Sequence, residues 1–147
     1  MMKRLKLLLA GLLLATTTAT YADNDRPIAV DQLPQAAQQM IRQHFADRRV
    51  ALAKRESEFM KKSYEVIFAD GCRIEFDGQG EWKEIDCRFA AVPAAAVPAP
   101  IAQYVKNNYP DAMIVKIEKD RREYEVKLSN RLELTFDRAF RLVDIDD

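Results

Sequence analysis

Leu33, Ala36, Ala37, Met40, Ile41, His44 and Phe45 recur in steps of three and four, which puts them on one stripe of a helix. Val97, Ile101, Tyr104, Val105, Asn108 and Tyr109 repeat that stripe. Pro34 and Pro98 suit a first helical turn, where the N–H that proline lacks would have had no partner. After Asp47 and Asp111 the period changes to two, predicting strands over 49–56, 61–69, 72–77 and 81–87, then over 112–120, 122–129, 131–137 and 140–146. Tyr64, Val66, Phe68, Cys72, Ile74 and Phe76 share the inward parity, against Glu65, Arg73 and Glu75 outward. In the second set Tyr124, Val126, Leu128, Leu132, Leu134 and Phe136 face in, and Glu123, Glu125, Lys127, Arg131, Glu133 and Thr135 face out. The fold class expected is α+β: one helix packed on one face of a four-stranded antiparallel meander, twice over, with the other sheet face open.

The two sets are copies. LPQAAQQMIRQHFAD (33–47) aligns with VPAPIAQYVKNNYPD (97–111), and YEVIFADGCRIEFDGQGEWKEID (64–86) aligns without a gap with YEVKLSNRLELTFDRAFRLVDID (124–146). The offset is 64 in the first block and 60 in the second, so the first copy carries four extra residues, placed within RESEFMKKS. FAAVPAAAVPAP joins the copies and reads as a short, stiff connector. The division expected is a first repeat over 23–90, and the linker with a second repeat over 91–147.

Residues 1–22 have a basic start (Lys3, Arg4, Lys6), an apolar run from Leu7 to Ala15 and a small-residue end near Ala22, the pattern of a cleaved secretory signal. The run is too short to span a bilayer, so a periplasmic or secreted product without a membrane span is expected. Removing the leader leaves 20 basic and 23 acidic residues, a net charge of −3 with His44 neutral. Neither sign clusters, which argues against a nucleic-acid partner.

Export gives the two cysteines their meaning. Cys72 and Cys87 bracket the Asp77-Gly78-Gln79-Gly80 turn, and a four-residue loop would set them directly opposite. A disulfide stapling that hairpin is the favoured reading, worth roughly 3 kcal/mol for a loop of this length, with two separate thiols as the alternative. Leu132 and Asp147 stand at the matching places of the second repeat, so the staple adds to the fold without being a condition of it. Asp77, Gln79 and Glu81 faintly resemble a calcium loop, but Trp82 occupies the place that needs glycine. The only histidine, His44, sits near a helix end, and Ser57, Ser63 and Ser129 lack any glycine elbow. No enzyme, cofactor or metal site is expected.

LPQAAQQMIRQHFAD followed by strands ending in IEFDGQGEWKEIDC resembles the PepSY-like, beta-lactamase-inhibitor-like exported proteins, and the resemblance covers both repeats. Ala46 departs from the pattern where Pro110 keeps it, as do Asp137-Arg138-Ala139-Phe140 in place of the glycine turn and Leu142 in place of Trp82. The resemblance implies a fold similar to beta-lactamase inhibitor proteins and a role in binding or inhibiting another periplasmic protein. Fold likeness does not transfer a target. The binding face expected on the outward parity comprises Val50, Leu52, Ile67, Arg73, Glu75, Ile114, Lys127 and Arg131. Trp82 and Leu142 either join it or are turned inward by a bulge after the turn, the reading preferred here. The alternative function is a small-ligand sensor with a pocket between the two repeats.

Overall fold

A computed structural model describes residues 25–147, so the leader expected at 1–22 lies outside the described residues. Strand β1 (Asp25–Ile28) precedes helix α1 (Gln35–His44). β2 (Val50–Glu58), β3 (Lys61–Phe68), β4 (Arg73–Phe76) and β5 (Trp82–Asp86) follow. The second repeat supplies α2 (Ala99–Asn108), β6 (Ile114–Lys119), β7 (Glu123–Leu128), β8 (Glu133–Asp137) and β9 (Leu142–Asp146). All nine strands form one antiparallel sheet in chain order. Each helix starts one residue after its proline, Pro34 or Pro98, which occupies the cap position and not the first turn.

β1 had no counterpart in the sequence pattern. Four residues are too few to show a period, and Pro27 argues against a strand except at a sheet edge, which is where it lies. It covers the edge of β2 much as β5 covers the edge of β6, with Ile28 opposite Ala53 and Ile85 opposite Ile117.

One apolar row runs across the whole sheet: Ile28, Ala53, Val66, Ile74, Ile85, Ile117, Val126, Leu134 and Ile145 stand opposite one another in turn. Both helices pack on this side. Phe45 stacks on Phe68 at 5.0 Å and Tyr104 meets Phe136 edge-on at 5.4 Å. The repeats share a single core, and the connector takes part in it, since Val92, Ala96 and Val97 are buried there. A pairing of β5 with β6 and this common core therefore form the seam at which a ligand pocket was the alternative expectation.

Four β-bulges recur at equivalent places in the two repeats, and they decide which way several side chains point. An extra residue lies between Val50 and Leu52 and between Ile114 and Lys116. Matching shifts accompany Trp82 opposite Phe76 and Leu142 opposite Phe136. Strict alternation put Val50 and Ile114 on the open face, and this is corrected: both pack against the core, opposite Phe68 and Leu128. The other bulges turn Trp82 and Leu142 inward as well, and Lys119 lies 4.0 Å over the Trp82 ring.

The β4–β5 turn sets the staple. Asp77 Oδ1 accepts the N–H groups of Gln79 and Glu81 at 2.9 and 3.0 Å, closing a loop of Gly78, Gln79 and Gly80. The bulge adds one residue after this loop and so brings Cys72 opposite Cys87, where they form a buried disulfide. Gly80 has φ +87°, and a Cβ there would lie 2.7 Å from Pro34 Cβ and 2.9 Å from the Ala37 nitrogen. The turn thus seats the start of α1 on its hairpin.

Candidate functional site

Among the described residues no helix lies over the second face of the sheet, and its side chains fall into two rows. The first contains Leu52, Ile67, Arg73, Asp86, Lys116, Lys127, Glu133 and Asp146. The second contains Lys54, Glu65, Glu75, Glu84, Glu118, Glu125, Thr135 and Asp144. Five consecutive strands, β3 to β7, therefore set a glutamate opposite a glutamate. Like charges placed directly opposite destabilise a sheet, so this row requires compensation.

Three cations provide it. Arg73 reaches Glu65 at 3.6 Å, Glu84 at 3.7 Å and Asp86 at 3.8 Å. Lys54 Nζ lies 3.4 Å from Glu65, 3.2 Å from Glu56 and 3.5 Å from Asp25, while Lys116 lies 3.0 Å from Glu84. Burial works to lower the pKa of Arg73, and the carboxylates, Glu84 foremost, more than reverse it. Lys54 and Lys116 end raised by the same balance, through Glu56 with Glu65 and through Glu84 respectively. The cations lie across their partners so closely that Glu65 and Glu84 are only 6% and 8% exposed.

Glu75 has no comparable partner. Burial, then the Glu84 and Glu65 charges beside it, holds its carboxyl above the ordinary range. Glu125 is raised for the same kind of reason, by burial and then Glu118, Glu123 and Glu133. Shallow depressions lie among Lys116, Glu118, Glu125, Lys127 and Glu133, and beside Lys127, Arg131, Glu133 and Asp146.

Of the residues expected on this face, Leu52, Ile67, Arg73, Glu75 and Lys127 stand in its two rows. Arg131 lies in the β7–β8 turn at its margin, with φ +75°, and Val50 and Ile114 are on the core side. Alternation marks Glu65 as outward but does not by itself join Glu65, Glu84, Glu118, Lys54 and Lys116 into one charged row. A signal was present, because each glutamate of the row is the chain neighbour of a residue in the apolar row. Aligning the core aligns the acids. Among the described residues, no three His, Cys, Asp or Glu side chains converge in the way a metal ion requires, and no helix is long and apolar enough to cross a membrane.

Comparison with known proteins sets this geometry in a family. A family model described as "Putative beta-lactamase-inhibitor-like, PepSY-like" matches residues 62–144. A crystal structure described as a "putative calcium-regulated periplasmic protein" of Bacteroides thetaiotaomicron is 59% identical, with a TM-score of 0.83, covering 86% of this chain and 100% of that one. A "putative periplasmic protein" of Bacteroides vulgatus is 53% identical, with a TM-score of 0.82 and the same coverage of each chain. A second from that organism, "of unknown function", is 41% identical at a TM-score of 0.78, covering 84% of this chain and 100% of its own. No curated protein matches the chain. Relatives described as periplasmic and a buried disulfide agree with an exported protein, periplasmic or secreted. The chain belongs to the PepSY-like, beta-lactamase-inhibitor-like family.

Proposed function

We propose that the protein is a non-catalytic periplasmic module that binds another envelope protein through the open face of its sheet, and inhibits that protein where the docked surface includes its active site. The observation that carries this reading is the row of five glutamates held in register on this face, two of them, Glu65 and Glu84, buried under their cations and three, Glu75, Glu118 and Glu125, more open to solvent. A fold that needed only stability would not place like charges opposite one another across five strands, whereas a surface made to meet an oppositely charged one gains from them. Over the two rows acidic side chains outnumber basic ones, so the matching partner surface is basic. Leu52 and Ile67, opposite each other beside Arg73, supply an apolar and guanidinium anchor of the kind found at interface centres.

The sensor reading receives no comparable support, because the shared core occupies the seam where its pocket would lie. Calcium regulation is part of one relative's description, and among the described residues no three His, Cys, Asp or Glu side chains here converge as such a site requires. The turn carboxylate of Asp77 that faintly resembled a calcium ligand already accepts two backbone N–H groups.

Affinity purification with residues 23–147 from envelope extract of the host tests the proposal. One envelope protein is expected to be retained, and to be lost with Ile67→Lys at little change in melting temperature. Ile114→Lys is the contrasting control: it lies against the core and is expected to lower stability by about 2 kcal/mol or more. Retention that is indifferent to Ile67→Lys, or recovery of a small molecule in place of a protein, would count against the open face.

A further inference from the structure

The four extra residues of the first repeat have a definite place. They lengthen β2 and β3 to nine and eight residues, where β6 and β7 have six each. The added pairs Ser57–Lys62 and Glu58–Lys61 carry the hairpin past the end of β4, where Phe76 stands opposite Tyr64. Two further residues per strand amount to a projection of about 7 Å.

The tip is built against local preference. Phe59 and Met60 form a two-residue turn with φ +47° and +63°, a conformation that favours Asn-Gly and strains a bulky side chain. It points both side chains into solvent, at 91% and 103% exposure. Neither residue contributes to the core, so the fold gains nothing from them that would offset the strain.

We propose that this hairpin is a docking finger whose Phe59 and Met60 enter an apolar pocket on the protein engaged by the open face. The inference rests on the reading of that face as a protein-binding surface, and adds a pocket as what the partner must supply. The collar behind the tip favours a protein over a bilayer. Lys61 stands opposite Glu58 and Lys62 opposite Ser57, with the Asp77 turn alongside, where Gly78 lies against the Lys62 carbonyl. That mixture lacks the uniformly basic collar that draws an apolar tip to an anionic membrane. A pocket instead rewards one aromatic and one flexible thioether side chain presented at fixed spacing.

Two measurements test it. Replacing the turn by Phe59→Asn with Met60→Gly is expected to raise the melting temperature by roughly 3–6 °C, because the backbone preference is then met. The same change is expected to reduce partner retention tenfold or more. A fall in melting temperature would show the tip to be structural and overturn the proposal. In the periplasm, a photoreactive aromatic residue at position 60 is expected to give an adduct with the same protein that is captured from position 127 on the open face. Adducts at 60 with phospholipid, with a second copy of this chain, or no stronger than at exposed Asn107 would overturn the finger. Capture at 127 in those cases leaves the open-face reading standing; capture at 60 without 127 removes that reading and with it the proposal, because the tip then engages no partner of the open face.

Discussion

Glu75 shows how one residue records the cost of the open face. Its carboxyl is held above the ordinary range by burial and by Glu84 and Glu65, so the fold binds its proton more tightly than the unfolded chain does. A raised carboxyl contributes stability below the unfolded value, near pH 4, and loses it as pH rises through the higher folded value. Glu75→Gln removes the charge that the fold resists. The variant is expected to melt several degrees above the wild type at pH 7, with the gap closing towards pH 4. A scan of melting temperature against pH decides it; an equal gap at both ends would mean that Glu75 ionises freely. At this scale the sequence showed that Glu75 points outward, because alternation around Ile74 and Phe76 is unbroken. Ile114 and Val50 were misassigned because a bulge inverts parity, and nothing in VKI or RVAL marks the extra residue.

Among the elements, the β4–β5 hairpin was the most legible, since glycines, a turn aspartate and two cysteines all lie within 17 residues. The structure replaces the expected four-residue loop by three residues and a bulge, with the same opposition of Cys72 and Cys87. Replacing both cysteines by alanine is expected to cost about 2–4 kcal/mol while the far-ultraviolet spectrum of the native state stays unchanged, as read by denaturant titration and circular dichroism. Loss of the folded spectrum would mean that the staple is required for the hairpin. The second repeat argues against that, because β8 and β9 pair through the same register without a cross-link. The β2–β3 hairpin was located by the repeat offset, yet the offset could not say whether its residues lengthened strands or a loop. Backbone pairing distinguishes these, and pairing is a property of two strands together.

As a whole, the molecule has one sheet and one core where the sequence allowed two lobes. Trp82 belongs to the first repeat and carries Lys119 of the second over its ring, so its fluorescence reports on the seam. A single unfolding transition is expected, with coincident midpoints by Trp82 fluorescence and far-ultraviolet circular dichroism. Two separated midpoints would mean that the repeats unfold independently. The connector explains the coupling. Its Pro and Ala content suggested a spacer, but Val92, Ala96 and Val97 are spent inside the core.

The sequence by itself determined the duplication, the helix stripes, eight of the nine strands and the export context of the cysteines. Each of these is a local or periodic property, written in the spacing of apolar residues along one stretch of chain. Only the tertiary structure decided the edge strand β1, the bulges that turn Val50 and Ile114 inward, and the fusion of the repeats into one sheet. It also decided the glutamate row. Every glutamate in that row is legible as an outward residue beside a core residue, but their mutual opposition depends on strand register. The register is set by packing Val66, Ile74, Ile85, Ile117 and Val126 into one apolar row. The core aligns itself to exclude water, and the charges on the other face are aligned with it.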